Sequence, residues 1–185
     1  NSRMADLESV AMRMEVKDGE KDCLLINDSY NSDINSLGIA LDFLSQQATA
    51  KKMRKTLILS DILQTGKEPD ELYCGVAELV EEKGVDRFIG IGHDISAHEK
   101  CFNIPEKSFF PDTESFMHHI DAFPFENEAI LLKGSRKFRF ETITDKLAKV
   151  VHETVLEVNL SALVNNFNYF RSFLKPGTKM MSMVK

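Results

Sequence analysis

At 185 residues, 43% hydrophobic and 28% charged, the chain has room for one globular domain and a remainder, and its composition is not that of a disordered protein. A net charge of -6 without a basic stripe argues against nucleic acid as a partner. No apolar run approaches the roughly 20 residues that span a bilayer, and no basic-then-apolar leader opens the chain, so a cytoplasmic protein without membrane insertion is expected. Cys23, Cys74 and Cys101, odd in number and far apart, are expected to be reduced thiols.

In chain order, "SVAMRMEV" (9–16) alternates like a half-exposed strand, and "KDGEKD" supplies a hairpin-like turn into "CLLI" (23–26). Four more short apolar runs follow: "TLIL" (56–59), "RFIGI" (87–91), "SFF" (108–110) and "AILL" (129–132). Runs of this kind suit strands covered on both faces of a parallel sheet. Helices fall between them. Ile34, Leu37, Leu41 and Leu44 recur at helical spacing behind Ser32 or Asp33 as cap. Pro69 opens a stripe of Leu72, Val76, Leu79 and Val80 that stops at Gly84, and Asp112 caps a helix burying Phe116 and Ile120. The expected fold is α/β: a Rossmann-like, doubly wound, mostly parallel sheet with an antiparallel edge strand over 1–148. A linker (149–153) then leads to a short strand-helix-strand fragment (154–185), its helix capped by Ser161 and carrying Leu163, Phe167, Phe170 and Leu174. A chain stopping on the apolar strand "KMMSMVK" would leave an unpaired edge, so this fragment is expected to belong to a larger domain.

Ligands of open α/β sheets bind outside the carboxyl ends of the strands. Four of those ends carry polar groups: Asp28 to Asn31, Ser60-Asp61, His93-Asp94, and Lys133-Gly134-Ser135-Arg136. Gly134-Ser135 lets backbone amides approach an anion, and Arg136 offers a bidentate fork to carboxylate or phosphate. Asp28 suits a ribose, and Tyr30 or Asn31 a base. There is no G-x-x-x-x-G-K-[ST] loop and no complete dinucleotide glycine fingerprint. His93 and His98 do not share a helical face, and no cysteine pair supports zinc, so no metal site is expected.

The stretch "MRMEV…LLINDSYNSDINSLGIAL" resembles the opening of the C-terminal domain of the Mur ligases, in the branch adding D-alanyl-D-alanine to UDP-N-acetylmuramoyl-tripeptide. Arg13, Asp28-Ser29-Tyr30-Asn31 and Ser36 match that branch's pattern. "LILSDILQTG" is similar to its G-D-M-x-E-L-G segment, and "ILLKGSR" to its V-K-G-S-R segment. Ser60 replaces the usual Gly, Gln64 a frequent Glu, and Ser32-Asp33-Ile34 the common Ala-Asn-Pro. The tail "LEVNLSALVNNFNYFRSFLKPGTKMMSMVK" resembles the start of the alanine racemases, whose E-[IV]-[DN]-L-x-A-L-x-x-N signature precedes a helix and then a lysine carrying pyridoxal phosphate; Lys185 matches that lysine.

The resemblance implies a bifunctional cell-wall fusion of ligase and racemase. In such a ligase ATP activates the tripeptide carboxylate, with Mg held in a central domain, and the C-terminal domain closes as a lid. It implies Arg13, Asp28, Tyr30 and Asn31 at the nucleotide. It also implies Lys133, Ser135 and Arg136 at the dipeptide carboxylate, with Asp61 in the same cleft. Without the N-terminal and central ligase domains, the fragment is expected to turn nothing over, and Lys185 to form no aldimine. The competing reading is a stand-alone flavodoxin-like binding or signalling module with Asp61 as phosphoacceptor, although only Asn27-Asp28 stands where an acidic pair would be required.

Overall fold

The computed structural model describes residues 14–30, 33–63, 66, 68–149, 159–179 and 181. Arg13, Asn31, Lys185, most of the expected linker and most of both expected strands of 154–185 lie outside the described residues. The chain divides into two compact units, Asn1–Val150 and Val151–Lys185.

In the first unit, β1 (Glu15–Asp18) pairs antiparallel with β2 (Leu24–Asp28) through a tight turn in which Lys21 and Asp22 take positive φ. Four parallel strands follow: β3 (Arg54–Ser60), β4 (Arg87–Ile91), β5 (Glu106–Phe110) and β6 (Glu128–Lys133). The order across the sheet is β1-β2-β6-β3-β4-β5, so the last strand inserts beside the first parallel one. This is the expected Rossmann-like, mostly parallel sheet with an antiparallel edge pair.

Both faces are covered, as the unbroken apolar runs require. Leu24, Ile26, Leu57, Leu59 and Leu131 pack on one side against Leu37, Leu41 and Leu44 of α1 (Ile34–Lys51) and Val76 and Val80 of α2 (Pro69–Glu82). Alternate residues Leu25, Ile58, Ile89, Ile130 and Leu132 face the other way, onto Phe116 of α4 (Thr113–His119) and Ile143 of α5 (Glu141–Leu147). Period-two alternation thus feeds two cores from one set of strands. Asp33 caps α1 and Asp112 caps α4, each accepting an N–H from the serine three residues on. The short helix α3 (His93–Ala97), its following 3-10 turn (Glu99–Cys101), and α5 are additional to the helices foreseen.

One feature departs from the sequence expectations, and another was not foreseen. Cys74 on α2 and Cys101 are joined as a disulfide, with Cα atoms 5.1 Å apart, so Cys23 alone is a free thiol. Separation along the chain misled here, because α2 packs against the turn after α3. The other feature is at the amino ends of the parallel strands. Arg54, Arg87, Glu106 and Glu128, the first residues of β3, β4, β5 and β6, form one ion-pair ladder. Arg87 binds Glu128 at 2.9 Å and Glu106 at 2.9 Å, and Arg54 binds Glu106 at 2.9 Å. Thr56 donates to Glu128 at 2.6 Å.

In the second unit, α6 (Leu160–Ser172) is capped by Asn159, whose side chain accepts the Ala162 N–H at 3.0 Å. The cap is therefore not Ser161, which lies within the first turn.

Candidate functional site

The polar rim forms where β2, β6, β3 and β4 end side by side. Parallel pairing sets Asp28 opposite Lys133, and the Lys133 ammonium meets the Asp28 carboxylate at 2.9 Å. Lys133 is 1% exposed. A buried ammonium is tolerable only with such a partner. The two residues, expected on opposite halves of the site, thus neutralise one another and form its floor.

Next along the rim, Gly134 lets the chain pass close to its neighbours: a Cβ there would stand 2.9 Å from the Phe140 ring and 3.0 Å from Ser60 Oγ. Ser60 Oγ accepts the Ser135 N–H at 3.0 Å and donates to the Asp61 carbonyl at 3.0 Å. Ser60 therefore stitches the end of β3 to the end of β6. Ser135 Oγ is buried with no hydrogen-bond partner, which leaves a donor and acceptor available at the rim.

Asp61 is 7% exposed, and burial raises its carboxyl above the ordinary range. Its Oδ1 accepts the Ile95 N–H at 2.8 Å and the Tyr73 hydroxyl at 3.4 Å, while Oδ2 accepts the Asp94 N–H at 3.4 Å. The carboxylate thus seats the turn from β4 into α3. Gly92 makes that seat possible with φ of 144°, since any Cβ would collide with the Asp61 carboxylate. With both oxygens engaged by the protein, Asp61 is not presented as a phosphoacceptor.

Beyond the rim the groups separate into two clefts. Asn27, Ser29, Tyr30, Arg136 and Glu141 line one of about 360 Å³. Asp61, His93, Asp112, Lys137 and Arg139 are among those lining another of about 690 Å³. Arg136 and Asp61, expected to share one cleft, line different ones here. The cause is local: residues Arg136–Phe138 form a 3-10 turn and Arg139 takes the left-handed conformation (φ 51°), so successive basic side chains point to different sides. Lys137 and Arg139 were missed by sequence reasoning. Their only signal was a basic run, "SRKFR", straddling the recognised K-G-S-R segment. Among the described residues no cluster of His, Cys, Asp or Glu is placed to hold a metal ion, and no helix is long and apolar enough to cross a membrane.

Fold and rim together define a doubly wound α/β domain with polar groups at the carboxyl ends of its strands. That is the Rossmann-like fold of a Mur ligase C-terminal domain. MurF from Acinetobacter baumannii superposes with a TM-score of 0.60 at 21% identity, over 76% of this chain and 30% of that one. The MurF ligase of Thermotoga maritima in complex with ADP gives 0.54 at 16% identity, over 76% of this chain and 31% of that one. Two curated relatives are ligases. The UDP-N-acetylmuramoyl-tripeptide–D-alanyl-D-alanine ligase of Escherichia coli (strain K12) is 25% identical over 146 residues, 78% of this chain and 31% of that enzyme. The ligase of the same name from Rickettsia prowazekii (strain Madrid E) is 28% identical over 123 residues, 65% of this chain and 26% of that enzyme. The chain therefore spans less than a third of the length of these relatives. No protein-family model matches the chain.

Proposed function

We propose that residues 1–148 are the closing domain of an ATP-dependent ligase that joins D-alanyl-D-alanine to UDP-N-acetylmuramoyl-tripeptide. The observation that carries this reading is the divided rim, which offers one small polar cleft and one larger basic-and-acidic cleft on either side of a neutralised floor. Its support is the similarity to ligases bearing that name, together with the Asp28-Ser29-Tyr30 and Lys133-Gly134-Ser135-Arg136 residues that form the rim.

The smaller cleft suits the nucleotide. Asn27 and Ser29 offer hydrogen bonds to a ribose, the Tyr30 ring offers a face to a base, and Arg136 offers its fork to phosphate. The ATP phosphates would otherwise depend on a domain outside this chain, and so would Mg. The larger cleft suits the incoming dipeptide, with Arg139 and Lys137 at its carboxylate, His93 toward its amine end and Asp61 lining the base. What these residues contribute is positioning and exclusion of water when the domain closes, and positioning of reactants is worth roughly 7–11 kcal/mol of barrier.

In the intact ligase, Arg139→Ala should raise KM for the dipeptide about 10- to 100-fold while leaving KM for ATP unchanged, as loss of a desolvated charge-assisted contact predicts. Arg136→Ala should do the reverse. Steady-state phosphate release with each substrate varied in turn separates the cases. If both substitutions act on the same substrate, the division of roles is wrong.

We further propose that 154–185 opens an alanine racemase half whose pyridoxal phosphate is carried by Lys185. The support is the E-V-N-L-S-A-L-V-N-N signature of residues 157–166, whose later part begins α6. Such a half would supply the D-alanine from which the ligase's dipeptide is made. In the full-length protein, borohydride reduction with pyridoxal phosphate should label Lys185 near-stoichiometrically, as read by peptide mapping. Labelling spread over many lysines would remove the racemase half and leave the ligase reading standing.

A further inference from the structure

α2 is fastened to the segment that follows β4 by contacts of very unequal strength. Asp70 in its first turn meets His98 Nε2 at 2.9 Å, but the Asp70 side chain is 95% exposed, and a pair so open to water contributes little. The Tyr73 ring stacks on His98 at 5.0 Å between centroids. Tyr73, 1% exposed, also donates its hydroxyl to Asp61 at 3.4 Å, longer than a strong hydrogen bond. The remaining tie is covalent. Cys74, directly after Tyr73, is bonded to Cys101 at the end of the 3-10 turn following α3. Their Cα separation of 5.1 Å lies within the span that two cysteine side chains bridge without moving the backbone.

The bond is also reachable. Cys74 lies on the exposed side of α2 and Cys101 is half-buried, whereas the third cysteine, Cys23, is buried. Burial raises the Cys23 thiol above its ordinary range, which removes it as a competing nucleophile.

We propose that Cys74–Cys101 is a redox-reversible clip that holds α2 against the α3 turn and so keeps Asp61 seated beneath the larger cleft. Closing the clip needs a low-molecular-weight disulfide such as glutathione disulfide. The more exposed Cys74 thiolate attacks one of its sulfurs, forming a mixed disulfide and expelling one glutathione thiolate. The Cys101 thiolate then attacks Cys74 Sγ, forming the intramolecular bond and expelling the second. The two cysteine protons pass to the two released thiolates, so the protein loses two electrons and the glutathione disulfide gains them. Opening is the reverse exchange. With the clip open, α2 stays packed on the sheet through Leu72, Val76 and Val80, while its ties to the segment after β4 are reduced to the stacking, the exposed pair and the long hydroxyl bond. Tyr73 then loosens against Asp61, and with it the Ile95 and Asp94 amides that Asp61 holds.

The inference does not depend on the ligase reading and is tested on the unsubstituted 185-residue chain. The protein is equilibrated in glutathione buffers of graded ratio, quenched in acid, unfolded and alkylated. Mass spectrometry should find one modified cysteine, Cys23, in the oxidised buffers and three in the reduced ones, with a smooth and reversible transition. Hydrogen exchange in the same buffers should show the Asp94 and Ile95 amides exchanging at least about tenfold faster once reduced, the signature of a local opening. Cys74→Ser should hold the faster rate in every buffer, and the unsubstituted protein gives the answer by itself if that variant folds poorly. Three alkylated cysteines across all buffers would overturn the proposal. So would a bond that forms without altering exchange at Asp94 and Ile95.

Discussion

Replacing Arg87 by Met is expected to lower the stability of the domain by about 3–5 kcal/mol, the usual consequence of removing one partner of a buried ion pair. Glu128 is 1% exposed and Arg87 6%. Without the guanidinium, Glu128 keeps only the Thr56 hydroxyl and a longer Arg54 contact of 3.7 Å. The loss comes mainly from a carboxylate stranded out of water. The Arg54–Glu106 pair at the other end of the ladder is about half exposed on both sides, and Arg54→Met should cost under about 1 kcal/mol. Urea unfolding of the two variants side by side measures the contrast. Equal and small losses would mean that water reaches Glu128.

Lys133→Met carries the second large effect, an expected loss of about 3 kcal/mol, at the low end for a buried pair because Asp28 retains 14% side-chain exposure. Asp28→Asn should cost less, since an amide oxygen still accepts from the ammonium. The functional consequence follows from position. Asp28 leads directly into Ser29 and Tyr30, and Lys133 into Ser135 and Arg136, so the pair sets the base of both rim loops. In the proposed ligase, kcat/KM should therefore fall for ATP and for the dipeptide together, unlike the single-substrate effects of Arg136→Ala and Arg139→Ala. An effect confined to one substrate would show that Lys133 contacts that substrate itself.

How much of this was legible beforehand depended on the range of the interaction involved. The apolar runs that became β2 to β6, the Asp33 and Asp112 caps, Pro69 at a helix start and the antiparallel edge pair all rest on neighbours within a turn or a strand. The ion-pair ladder was half-visible: a charged residue begins each of β3, β4, β5 and β6, but only the sheet order shows that those four residues meet. The candidate rim residues were legible as strand-end groups, but not which cleft each lines, because that depends on the 3-10 turn after Ser135.

By itself, then, the amino-acid sequence determined the sheet's composition, its two-sided burial and the placement of Asp28, Asp61, Ser135 and Arg136 at strand ends. Hydrophobic periodicity and capping are local, and each is written in consecutive residues. Tertiary structure alone decided that Lys133 is Asp28's partner across the rim, that Ser60 clamps Ser135, and that Cys74 finds Cys101. Those contacts join segments far apart in the chain. Their identity follows from strand order and helix packing, which depend on how all the apolar faces bury one another at once.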